Sequence, residues 1–185
     1  MEASTKKTIL IVIASCAGLL LLAALGWFLY FNSQFKVYQD YKYKFSIKYP
    51  RTWRVVVHPK PMVAVVFLRP KDTALDALQE NFNVTVQPLP DNIPSLSAFS
   101  AAIKRQMTGV FGNSIKIVED KPINYGWREG HQMALEAPNP DHLKMVNAWV
   151  LRSNEAYILT FLGSINKYAQ DGFLVNEMIR SLQLQ

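Results

Sequence analysis

Hydrophobic and polar positions divide this chain into one unbroken apolar run followed by a longer region in which apolar residues recur with periods of two or of three to four. From Thr8 to Phe31 no charge interrupts the run. As a helix it is about 36 Å long, enough to cross a hydrocarbon core of about 30 Å. Trp27 and Tyr30 stand at its far end, where amphipathic rings favour the membrane interface. The pattern therefore predicts an N-terminal tail over 1–7, a transmembrane anchor over 8–31, a link over 32–38 and one folded domain over 39–185.

Within that domain the first strand signal is Tyr41 to Tyr49. Tyr41, Tyr43, Phe45, Ile47 and Tyr49 share one parity, and Lys42, Lys44, Ser46 and Lys48 share the other, so one face is expected in the core and the other is cationic. Pro50 stops the strand because it cannot donate to a ladder. Trp53–Val57 and Met62–Leu68 predict an antiparallel pair about the turn His58-Pro59-Lys60-Pro61. Asp72, with Leu75 and Leu78 behind it, predicts one or two helical turns. Asn81–Gln87 alternates through Phe82, Val84 and Val86. Ser95 reads as an N-cap before a stripe of Leu96, Phe99, Ile103 and Met107. Four further strands are expected over 114–119, 130–137, 143–151 and 156–162, the last two joined as a hairpin, before a final helix carrying Val175, Met178, Ile179 and Leu182 inward. Strands and helices in this order, with hairpin-length connections and no βαβ alternation, predict an α+β domain: an antiparallel β-sheet flanked by helices.

The length of the apolar run argues against two other readings. A cleaved signal peptide has a shorter apolar region. Ile13-Ala14-Ser15-Cys16 resembles a lipobox, but cleavage there would leave the apolar Ala17–Phe31 as a stub, so Cys16 reads as a small residue of an uncleaved anchor. Lys6 and Lys7 precede the run, and Lys36, Lys42, Lys44, Lys48 and Arg51 follow it. Long domains translocate largely regardless of charge, so the short basic tail is expected to stay in the cytoplasm and the domain to lie outside it, at the cell membrane. The net charge of +6 suits an anionic lipid surface and is too diffuse for nucleic acid. A single cysteine excludes an intrachain disulfide and a cysteine metal cluster.

Phe45-Ser46-Ile47-Lys48-Tyr49-Pro50-Arg51-Thr52-Trp53 resembles the opening of the PsbP/Mog1-like superfamily, which includes the DcrB-type bacterial envelope proteins: an alternating strand ending in Tyr-Pro, with Trp three residues after the Pro. Val63–Leu68, Asn83-Val84-Thr85-Val86, Ala156–Thr160 and Ile179-Arg180-Ser181-Leu182 fall in that family's order and carry the resemblance from about Tyr38 to Leu184. It implies an α/β/α sandwich and members that bind or stabilise larger assemblies instead of catalysing reactions. No site residue is carried over, and oxygen evolution is not inferred.

Candidate chemistry is sparse. His58, His131 and His142 lack metal-site spacing. His131 shares parity with Met133 and Leu135, which predicts a hydrogen-bonded histidine at the core's edge. Asp141-His142 has no nucleophile elbow to serve, and Glu119-Asp120 reads as a solvated strand end near Lys116 and Lys121. No catalytic, cofactor or metal set emerges, so no cofactor and no enzymatic activity are expected. Two surface readings remain. Lys42, Lys44 and Lys48 either face an anionic membrane or guard an edge strand. Tyr125, Trp127 and Arg128, beside Gly126 in a polar stretch, have the composition of a partner-contact cluster, although a Trp covering the sheet's end is the simpler alternative. The expectation is a single-pass accessory or assembly subunit of an integral membrane protein complex; the second reading is an envelope module that binds lipid headgroups or a small molecule.

Overall fold

The computed structural model describes residues 2–73, 78–90, 93, 95–137 and 142–185. Contacts divide the chain into Met1–Lys36 and Val37–Gln185. The first unit holds helix α1 (Glu2–Ser33). Its stretch Cys16–Ser33 is long and apolar enough to cross a membrane, and its large side chains, including Trp27 and Tyr30, are exposed.

The remaining strands run β1 (Phe35–Asp40), β2 (Phe45–Pro50), β3 (Arg54–Lys60), β4 (Val63–Leu68), β5 (Asn81–Pro88), β6 (Lys116–Tyr125), β7 (Arg128–Ala137), β8 (Leu143–Arg152), β9 (Glu155–Ser164) and β10 (Gln183–Leu184). Helix α2 (Leu96–Phe111) lies between β5 and β6, and α3 (Ile165–Arg180) between β9 and β10. Seven strands form one sheet in the order β3-β4-β5-β9-β8-β7-β6, and its neighbours pair antiparallel. A second, three-stranded sheet has the order β1-β2-β10.

Period two explains how the large sheet is covered on both faces. Along β8, Val146, Ala148 and Val150 join the cluster that includes Val175, Met178 and Ile179 of α3, whereas Met145, Trp149 and Leu151 join Phe99, Ile103 and Met107 of α2. Burial on both faces requires nearly continuous apolar sequence, as in β7 to β9. The outer strands β3 and β6 carry Pro59 and Pro122, residues a central strand would exclude for want of a donor. Both expected helices begin where a serine can satisfy a free N–H: Ser95 Oγ accepts from Ala98 N at 3.2 Å, and Ser164 Oγ from Lys167 N at 3.2 Å.

The expectations for residues 41–48 and for the bounds of the link need correction. The strand expected from Tyr41 starts only at Phe45, because residues 41–44 form a turn in which the Tyr43 N–H donates to Asp40 Oδ1 (2.9 Å) and Lys44 adopts φ 51°. A side chain that captures a backbone donor in this way competes with the ladder. Tyr41 is therefore 79% exposed instead of facing the core. Lys42, Lys44 and Lys48 do not share a strand face: only Lys48 lies in β2. The link expected over 32–38 contains the start of β1, whose Phe-Lys-Val-Tyr alternation favours a strand. Of the helical turns expected behind Asp72, Leu75 lies outside the described residues, and the Asp72 carboxylate instead receives Arg69 and Lys167. Beside the expected antiparallel sheet lies the small second one, in which β10 is a strand only through its pairing to Phe45 and Ser46.

Candidate functional site

Gly126 and Trp127 form a two-residue turn between Tyr125 and Arg128, which are paired across β6 and β7. Gly126 sits at φ 61°, the left-handed value that the first central position of a type II′ turn demands. So tight a turn leaves no neighbour to cover its apex, and Trp127 is 81% exposed. Arg128 lies over the indole, its guanidinium carbon 4.0 Å from the ring centroid. Stacking of this kind contributes about 0.5–1 kcal/mol at an exposed site. It also holds an aromatic surface and a cation in one rigid unit.

Tyr125 differs from the other two. Only 5% of it is exposed, its buried hydroxyl has no hydrogen-bond partner among the described residues, and burial holds the phenol well above its ordinary pKa. It forms the base of the turn instead of its contact face. Gly130 makes this possible, since a Cβ there would lie 2.5 Å from Tyr125 Cε2 and 2.6 Å from the Trp149 carbonyl oxygen. Gly130→Ala is expected to destabilise the domain by about 1–3 kcal/mol through overpacking, with a lowered urea midpoint as the readout; an unchanged midpoint would contradict this packing. An open cleft of about 180 Å³ runs from Tyr125, Trp127 and Arg128 to Leu182, Gln183 and Leu184 at β10.

A second polar group joins β6, β7 and α2. His131 Nε2 is 2.5 Å from Asp120 Oδ1, Lys104 Nζ donates to Asp120 Oδ2 at 2.6 Å, and the His131 ring stacks on Trp149 at 5.2 Å between centroids. Hydrogen bonds from Lys104 and His131 hold the Asp120 carboxyl below its ordinary pKa. The nearby Ser100 hydroxyl donates to the Leu96 carbonyl (2.8 Å) and accepts from the Trp149 indole (2.9 Å), so both of its roles serve the fold. This is the hydrogen-bonded histidine at the core's edge that parity predicts. His58 bonds to Asp40, and His142 is exposed at the start of β8, while Asp141 lies outside the described residues. Glu119 pairs with Lys121 and accepts from Gln132 Nε2 at 2.9 Å. Among the described residues no three His, Cys, Asp or Glu side chains gather as a metal site.

Sequence reasoning missed Asp40. It is 2% exposed and accepts from Tyr38 Oη (2.9 Å) and Tyr43 N (2.9 Å), with His58 Nε2 at 3.0 Å. Burial pushes its pKa up, but these hydrogen bonds outweigh burial and leave it below the ordinary value. The signal available was an aspartate three residues before a backbone donor, a common turn device.

No protein-family model matches the chain, and no curated protein matches it by sequence. Solved structures do match. Cyanobacterial PsbP (CyanoP) from Synechocystis superposes with a TM-score of 0.61 at 12% identity, over 82% of this chain and 93% of its own. The Ran-binding protein Mog1p of Saccharomyces cerevisiae gives 0.55 at 11% identity, over 81% and 95%. LpqN of Mycobacterium tuberculosis, described as involved in cell envelope biogenesis, gives 0.57 at 9% identity, over 82% and 91%. The domain thus has the PsbP/Mog1-like fold that the Tyr-Pro-x-x-Trp strand resembles, an α+β sandwich preceded by an apolar N-terminal helix.

Proposed function

We propose that this chain is a non-catalytic, single-pass membrane protein whose PsbP/Mog1-like domain acts as an accessory or assembly subunit, binding a partner in a membrane complex through the β6–β7 turn. The exposed Trp127, stacked under Arg128, carries the reading. Aromatic and arginine side chains dominate binding hot spots, and one already held rigid loses little entropy on association. Support for the anchor comes from Cys16–Ser33, and the basic tail at Lys6 and Lys7 favours a domain outside the cytoplasm. Among proteins of this fold, Mog1p binds Ran and LpqN takes part in envelope biogenesis, roles compatible with binding instead of turnover. The structural use of Ser100 and His131 supports the same view.

The test is purification of the tagged full-length protein from native membranes in mild detergent, with mass spectrometry, beside Trp127→Ala and a form lacking residues 1–35. A stoichiometric membrane-protein partner is expected with the wild type. Trp127→Ala should weaken that association by about 2 kcal/mol, roughly thirtyfold, while leaving the melting temperature unchanged because the ring covers no core. Equal recovery of the partner by Trp127→Ala would move the contact surface elsewhere.

A further inference from the structure

The turn at residues 41–44 and the turn between β8 and β9 meet and enclose a cleft of about 270 Å³ lined by Lys42, Tyr43, Lys44, Arg152, Ser153, Glu155 and Tyr157. Residues 108 apart are tied together there: Arg152 Nη1 donates to the Lys44 carbonyl at 3.3 Å. Tyr157 Oη donates to the Tyr43 carbonyl at 2.9 Å, and the Gln185 N–H to the Lys44 carbonyl at 2.9 Å. The backbone is thus held rigid beneath the cationic side chains. Lys44 and Ser153 both adopt left-handed φ, 51° and 54°, in a region that residues with a Cβ seldom occupy. Retained strain of this kind is common at ligand clamps.

Charge decides what such a cleft can hold. Among the described residues no ion pair engages Lys42, Lys44 or Arg152, and Glu155 is the one carboxylate lining the cleft. Three cations against one anion leave an uncompensated positive site. A guanidinium matches phosphate oxygens in a planar fork, and lysines add point charges around it. We propose that this cleft binds a phosphate group through Lys42, Lys44 and Arg152, presented either as an anionic lipid headgroup or as free phosphate. The cleft shares no lining residue with the one beside Trp127, so the proposal stands or falls separately from the partner surface assigned there. It also gives Lys42 and Lys44 a role that Lys48 does not share.

Full-length protein in neutral detergent micelles is titrated calorimetrically with inorganic phosphate and, separately, with dioctanoyl phosphatidic acid, using as control dioctanoyl phosphatidylcholine, whose phosphodiester is neutralised by its own choline. Saturable binding of phosphatidic acid or phosphate, without binding of phosphatidylcholine, is expected. Lys42→Gln with Lys44→Gln should weaken it at least tenfold, and Arg152→Lys, which keeps the charge but not the fork, several-fold. Arg54→Gln with Lys60→Gln removes the same charge from β3 and should change affinity less than twofold. Tighter binding of phosphatidic acid assigns the lipid headgroup; equal binding of inorganic phosphate assigns the free anion. The proposal is overturned if neither phosphate probe saturates, or if the β3 variant loses as much affinity as the cleft variant. Melting temperatures of the unliganded variants confirm that each is folded.

Discussion

Trp149→Ala is expected to lower the stability of the folded domain by about 3–5 kcal/mol, the range for removing a large buried aromatic. Trp149 is fully buried on the α2 face of β8, where its ring meets Phe99 edge-on at 6.4 Å between centroids and His131 in a stack. Truncation opens a cavity beneath α2, leaves His131 without its platform and removes the indole N–H from Ser100. Trp149→Phe should recover a large part of the loss, since it restores ring volume but not the hydrogen bond. Urea denaturation of the full-length protein in mild detergent measures both. A shift below about 1 kcal/mol for the alanine variant would mean that α2 does not pack on this face as described.

Asp40→Ala should cost about 3 kcal/mol, because it strips the Tyr38 hydroxyl and the Tyr43 N–H of a charged acceptor inside the fold. Its pH dependence follows from the direction of the shift. The carboxyl is held below its ordinary pKa in the folded state, so the unfolded chain binds its proton first on acidification. The stabilisation is therefore fully present above the unfolded value of about 3.9 and is lost as pH falls through the lower folded value. Wild type and Asp40→Asn are expected to differ in urea midpoint at pH 7 and to converge toward pH 2. A difference that stays constant across that range would remove the charge from the explanation and leave only shape.

The elements most legible in the sequence are those whose signal is local. Phe82, Val84 and Val86 alternate and are all buried in β5; Ser95 caps the helix that its position announces; Leu96, Phe99, Ile103 and Met107 recur along one face and meet one cluster. Trp127 was legible as exposed because Gly126 and a polar stretch surround it. The failures share a cause. Tyr41 to Lys44 alternates as well as any strand, but parity carries no trace of the Asp40 carboxylate that takes the Tyr43 N–H. Tyr125 flanks the turn and reads as one of its contact residues, yet Gly130 on the paired strand opens the space that buries it. The two residues of β10 form a strand only because Gln183 and Leu184 meet Ser46 and Phe45.

By itself the sequence determined an apolar N-terminal run long enough for a membrane helix, the period and therefore the type of most later elements, and the N-cap at Ser95. Each of these depends on residues within a few positions of one another, where spacing directly encodes which side chains share a face. Only the tertiary structure decided which buried face of β8 meets α2 and which meets α3, that Asp40 gathers Tyr38, Tyr43 and His58, and that Lys42 and Lys44 line one cleft with Arg152. Those convergences join residues more than about 100 positions apart. They are set by the combined packing and pairing of the whole domain, for which no local period exists to be read.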